Sequence, residues 1–288
     1  MKKRLLVIAV LLMAAFVCIT VLNGMDTELS PSEPSGSGTA ATDTADIKPS
    51  SKGSPYKFYF ERLTPVEKRA YNAIIEKIYD MPERIAVPKI DGKELDNVFS
   101  ALLFDNPDLF FLGRKCAVET RMWLTYFSVD YIINKADIAD MRERLERECE
   151  AFEQTLTDPG NQWRTELEIH DYVIDKCEYH DPEGDLIYSS SYGALVDGRA
   201  ACEGYSKAVK LLLDRAGIEN ALISGVSENG EGSGGAHMWN IVNIGGDYYH
   251  LDCTWDDPVS DDGGKLRMYT YFNLSDEMIS GTHRDFFI

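Results

Sequence analysis

Positive charge is scarce in this 288-residue chain: 29 Lys and Arg stand against 48 Asp and Glu, a formal net charge of −19 at pH 7. A surface of that sign is repelled by phosphate backbones and anionic headgroups, which excludes nucleic acid as the main partner. Cysteine is sparse too. Six cysteines without regular spacing do not make a disulfide scaffold at this length. Cys177 with His180 is followed by no second ligand pair at zinc-site spacing, so no metal site is expected. Internal repeats are absent. The stretch 230–235 matches Gly-x-Gly-x-x-Gly but leads into a strand pattern and not a helix, so it reads as a flexible loop and no nucleotide cofactor is expected.

What is present is globular: 44% hydrophobic and 11% aromatic residues. The long apolar run sits at the start. Lys2, Lys3 and Arg4 precede Leu5 to Leu22, where Thr20 is the sole non-apolar residue. Such a run is just long enough to cross the ~30 Å hydrocarbon core. Residues 1–24 are therefore expected to be a signal peptide or a membrane anchor, and the rest of the chain extracytoplasmic, either secreted or held at the cell membrane. Leu22-Asn23-Gly24 is the best cleavage candidate, and Cys18 follows residues too bulky for a lipoprotein signal. Residues 25–56, rich in Ser, Thr, Pro, Gly and Ala, bury too little apolar area to order and read as a tether.

Folded sequence begins near Tyr56. Thr64-Pro65 caps a helix with Val66, Tyr71, Ile74, Ile75 and Ile78 on one face, and a second helix is expected from about Lys93 to Phe104. Met122 to Ile133 has strand character, and Ala136 to Leu156 reads as a long charged helix. Residues 57–157 are thus expected to form a mainly helical N-terminal domain, with 158–288 a second domain. There a helix from Trp163 and another from Cys202 precede strands at Ala221–Val226, His237–Ile244, Asp247–Thr254 and Met268–Phe272. Helices followed by an antiparallel meander indicate an α+β class.

The chemistry gathers at three places. Cys202 opens the helix carrying Tyr205, Ala208, Val209, Leu212 and Ala216 on one face and ending at Gly217-Ile218. Free N–H groups and the helix dipole favour a thiolate there. Gly245-Gly246 is a two-residue hairpin signal. It pairs Ile244 with Asp247, and the continued ladder sets Asp252 opposite Trp239. His237 shares the face of Trp239 and is a diagonal neighbour of Asp252, roughly 7 Å away between Cβ atoms and within side-chain reach. A nucleophilic thiol needs a base, and the base needs a group that fixes its tautomer. Cys202, His237 and Asp252 fill those roles. His250 shares the face of Asp252 and is a rival base, whereas His170 and His283 read as surface or internally satisfied residues. Asp256 and Asp257 before Pro258 read as a turn.

The blocks Cys202-Glu203-Gly204-Tyr205, His237-Met238-Trp239-Asn240 and Tyr249-His250-Leu251-Asp252-Cys253-Thr254-Trp255-Asp256 resemble the bacterial transglutaminase-like (transglutaminase/protease-like) superfamily. The resemblance implies a papain-like fold, with the nucleophile helix packed on an antiparallel sheet. It also implies a cysteine-dependent enzyme acting on amide bonds of protein or peptide substrates through a thioester. Hydrolysis is favoured over amine transfer because no amine-guiding feature is visible. The alternative is a catalytically inactive peptide-binding module tethered at the cell surface. The Cys202 backbone N–H is the expected oxyanion donor, Tyr192 a second, and Trp239 and Tyr205 the expected substrate-binding residues.

Overall fold

The computed structural model describes residues 18–19, 22–23, 47–122, 124–228, 234–258 and 265–287. Most of the apolar N-terminal run, most of the tether and much of the glycine-rich loop lie outside these residues. The dipeptides Cys18–Ile19 and Leu22–Asn23 pair in parallel with the strand Leu112–Arg121. Among the described residues no helix is long and apolar enough to cross a membrane.

The N-terminal region opens with α1 (Phe58–Glu61) and α2 (Pro65–Ile78). Thr64 accepts from the N–H of Glu67 while the Glu67 carboxylate accepts from the N–H of Thr64, a reciprocal cap that starts α2. Then follow β1 (Ile85–Val87), α3 (Gly92–Asp105), the hairpin β2 (Leu112–Arg121) and β3 (Leu124–Tyr131), and α4 (Ile138–Glu153). The region is helical as expected but also carries an antiparallel sheet of β2, β3 and β1. Strand character was legible for β3. Its partner β2 carries Arg114, Lys115, Glu119 and Arg121, and those charges hide the apolar alternation of Cys116 and Val118.

The second half begins with α5 (Gln162–Lys176) and a short β4 (Glu178–Tyr179), paired in parallel with β5 (Arg199–Ala200). Between them a 3-10 turn (Leu186–Ser189) and one π-helical turn (Gly193–Asp197) end at Gly198, whose φ of +70° suits glycine. Next comes α6 (Cys202–Arg215). Gly217, at φ +71°, donates to the Asp214 carbonyl and Ile218 to that of Leu213, which closes the helix as its sequence signals. The sheet order is β8 (Asp247–Leu251), β7 (Gly234–Ile244), β6 (Asn220–Glu228) and β9 (His283–Phe287), antiparallel throughout. Gly245 and Gly246 both have positive φ, and Ile244 pairs with Asp247 as the two-residue loop requires.

One expectation fails here. Met268–Phe272 is not a strand: Met268 donates to the Asp256 carbonyl and Tyr271 accepts from the N–H of Asp252. This segment serves as a strap over the end of β8, and the fourth strand is β9, placed farther along the chain. Residues 154–161 connect α4 to α5, and buried side chains from Phe60 to Cys253, on both sides of this loop, form one continuous core. The Tyr59 hydroxyl donates to the Leu222 carbonyl (2.6 Å) and Ser191 to that of Pro107 (2.7 Å), so the two halves are stitched together.

The start of α6 is set by close packing. A Cβ at Gly204 would lie 2.6 Å from the Ala200 Cβ and 2.8 Å from the Tyr188 carbonyl oxygen. Gly204→Ala is expected to cost about 1–3 kcal/mol by overpacking, measured as a fall in the urea midpoint. An unchanged midpoint would show that this contact does not constrain the helix.

Candidate active site

Cys202 is the first residue of α6, and Ala201 before it offers no side-chain cap. Gly204 and Tyr205 donate to the Ala201 carbonyl, which leaves the N–H groups of Cys202 and Glu203 to meet an anion, and the helix dipole favours one. Glu203 would oppose a thiolate by its own charge, but it is paired with Lys207 (2.8 Å) and with Arg114 on β2. Cys202 is partly exposed, whereas Cys116, Cys149, Cys177 and Cys253 are buried. All five are free thiols. Burial pushes Cys116, Cys149 and Cys177 up to about 12 and Cys253 well above its ordinary value, so these four are poor nucleophiles.

His237 lies on β7, and Asp252 follows the last residue of β8. Their side chains meet as the hairpin register requires, with Nε2 of His237 donating to Oδ2 of Asp252 at 2.6 Å. A carboxylate only accepts, so Nε2 carries the proton and Nδ1 is left for the thiol. Burial disfavours the imidazolium, but the Asp252 charge and hydrogen bond override it and hold the His237 pKa up at about 10; hydrogen bonding and charge from Cys202 add to the effect. Burial likewise opposes ionisation of Asp252, and the His237 interaction outweighs it, leaving the carboxyl well below its usual range. Oδ1 of Asp252 accepts from the N–H groups of Thr254 (3.0 Å) and Trp255 (3.2 Å).

The other expected site residues are placed differently. Trp239 is fully buried. Its Nε1–H donates to Nδ1 of His250 at 2.9 Å, and its ring stacks beneath His237 with centroids 5.9 Å apart. It is a floor for the imidazole and not a substrate contact. Tyr205 is also buried, donating to Asp257 at 2.6 Å. Tyr192 packs on Phe110 (5.0 Å) under the Arg144 guanidinium, turned into the core between the two halves, so it offers no oxyanion donor. His250 has Trp239 on one nitrogen and Asp276 on the other (2.9 Å), so neither is free to act as a base. His170 is buried and paired with Asp171 and Asp256, not at the surface. Asp256 and Asp257 lie in a turn, as read.

Three residues at the site escaped the sequence reading. Trp255, partly exposed, brings its ring to 6.0 Å from that of His237. Its place in the third motif block was the available signal. Tyr179 is half-exposed on β4 and close enough to Cys202 to feel its charge, so it walls the approach to the thiol. His283 on β9 donates to Oδ2 of Asp252 at 3.0 Å, a contact that no short-range pattern announces.

Residues 150–253 match the family described as the Transglutaminase-like superfamily, a span that contains Cys202, His237 and Asp252. This fits a cysteine-dependent enzyme in general terms. No curated protein matches the chain. Among solved structures, it is similar to one described as a TGase, at 13% identity and TM-score 0.33, with 64% of this chain and 58% of that one covered. It is also similar to a candidate cysteine protease from Cytophaga hutchinsonii (13% identity, TM-score 0.31, 50% and 56% covered). A candidate protease from Parabacteroides distasonis matches at 14% identity and TM-score 0.30, with 54% and 40% covered. The alignments thus span less than two thirds of each of these chains.

The raised His237 pKa has a consequence for stability. Its contribution is fully present below the unfolded value near ~6.5 and is lost as pH rises through about 10. The urea midpoint of the wild type is expected to fall from pH 7 to pH 10 relative to that of His237→Gln. Parallel curves would show that the pair contributes no pH-dependent stability.

Proposed function

We propose that this chain is an extracytoplasmic cysteine-dependent enzyme that acts on amide bonds of peptide or protein substrates through Cys202, His237 and Asp252. The observation that carries the reading is the buried 2.6 Å bond from His237 to Asp252, with the other face of the imidazole turned to a partly exposed thiol at an uncapped helix start. Its extracytoplasmic placement rests on the basic and apolar N-terminal sequence.

The steps follow from the geometry. Nδ1 of His237 takes the thiol proton, and the thiolate adds to the amide carbonyl. The developing oxyanion is met by the N–H of Cys202 at the start of α6. The imidazolium, held by Asp252, gives its proton to the departing nitrogen as the C–N bond breaks and a thioester forms. Water then adds to the thioester carbonyl while giving a proton to His237, the C–S bond breaks, and the acid leaves with the thiol restored. An amine in place of water would give a new amide instead. Hydrolysis is the preferred outcome because Tyr179 and Trp255 leave the approach partly open to solvent and, among the described residues, no amine-guiding group stands there.

Alkylation by iodoacetamide, followed cysteine by cysteine by peptide mass spectrometry across pH, tests the pair. Cys202 is expected to react at mildly acidic pH in the wild type and to lose that behaviour in His237→Ala, while the four buried thiols stay slow throughout. If Cys202 behaves as an ordinary thiol near ~8.5 in both proteins, the chain is a binding module and not an enzyme.

A further inference from the structure

Asp252 carries more hydrogen bonds than a carboxylate serving one imidazole requires. Oδ1 takes two backbone N–H groups, and Oδ2 takes both His237 and His283. His283 is the first residue of β9, pairs with Ser227 of β6 and is 1% exposed. Its ring is caged by Trp239 (4.8 Å between centroids), Trp255 (4.9 Å) and Tyr271 (5.6 Å). Nε2 donates to the carboxylate, and Nδ1 lies 2.9 Å from the Thr282 hydroxyl. Both nitrogens are satisfied. A residue that merely filled this aromatic cage would be apolar, since a buried polar ring costs free energy unless bonded.

Two arrangements draw two imidazoles and a carboxylate together: a shared metal ion or shared hydrogen bonds. Ligands about a tetrahedral zinc at about 2.0–2.1 Å lie roughly 3.3 Å from one another. Here both nitrogens approach one oxygen more closely, at 2.6 and 3.0 Å, which is hydrogen-bond geometry.

We propose that His283 is a positioning residue that acts on His237 through Asp252. The inference rests on the reading of Cys202 and His237 as the reacting pair. The carboxylate turns about Cβ–Cγ as one plane, held at Oδ1 by two backbone N–H groups and at Oδ2 by two imidazoles. His283 fixes that rotation by holding Oδ2 in line with Nε2 of His237. With the second donor gone, Oδ2 turns, the bond to His237 lengthens, and the imidazolium that supports the thiolate loses its partner. The titratable groups facing His283 among the described residues are Asp252, His237 at 5.4 Å and Tyr271 at 5.6 Å between ring centroids, and His250 with Asp276 behind it.

The test uses the full chain as wild type, His283→Phe and His283→Gln, with iodoacetamide as probe at Cys202 and thermal melting alongside. In His283→Phe the acid limb of the alkylation profile is expected to move up by about one pH unit, toward an ordinary thiol near ~8.5. The rate at pH 6 then falls about tenfold. His283→Gln presents an amide N–H to the same oxygen and is expected to restore the wild-type limb. Three results overturn the proposal: an unmoved limb in His283→Phe despite a lowered Tm, a downward shift, or a stoichiometric transition metal in the purified wild type. A wild-type limb already at the ordinary thiol position would instead bring down the reading of the catalytic pair, and this inference with it. Should His283→Phe not fold, imidazole nitrogen NMR of the wild type decides. A proton on Nε2 of His283 is expected there, and a ring protonated at Nδ1 alone overturns the proposal.

Discussion

A single buried hydrogen bond, from His237 to Asp252, sets the terms for the rest of this structure. Taking a carboxylate out of water costs several kcal/mol, and the cost is offset here by four donors, two of them imidazoles. Those donors come from β7, from β9 and from the turn after β8, so the carboxylate is fully satisfied only when all of these segments are in place. The aromatic side chains around it keep water away from both rings. A cheaper arrangement would bury apolar residues at these positions, and the choice of charge is the strongest physical sign that chemistry is done there.

The N-terminal half takes part in holding this arrangement. Arg114 on β2 pairs with Glu203 next to the thiol and donates to Ser189 at 3.2 Å, so the charge beside Cys202 is balanced from the other half. Asp105 at the end of α3 accepts from the N–H groups of Tyr59 and Phe60 (3.0 and 2.8 Å), and Tyr59 in turn bonds β6. Burial raises Asp105 to about 6, even with these donors and the nearby Lys210 acting against it. The helix bearing Cys202 and the strands bearing its partners are therefore braced through a core that runs across both halves.

Much of the site was legible because its determinants are local. Two glycines fix a hairpin loop, strand parity then fixes which residues share a face, and the start of an amphipathic helix marks Cys202 as its first residue. His283 was not legible, because its contact with Asp252 spans 31 positions and depends on β9 joining β6 at the far edge of the sheet. The errors over Trp239, Tyr205 and Tyr192 have a related cause. Parity correctly put Trp239 on the face of His237, but the segment that covers that face, from Tyr271 to Phe286, follows no period that would place it. Aromatic residues beside a motif look alike in sequence whether they face substrate or core.

The most direct measurement is intact and peptide mass spectrometry of the protein quenched in acid after mixing with p-nitrophenyl acetate, an activated acyl donor. A transient acyl adduct confined to the Cys202 peptide, absent in Cys202→Ser and slow to form in Asp252→Asn, is the result expected of a thiol nucleophile working through this buried pair. Acylation spread over lysines and other cysteines at equal rates in all three proteins would contradict it.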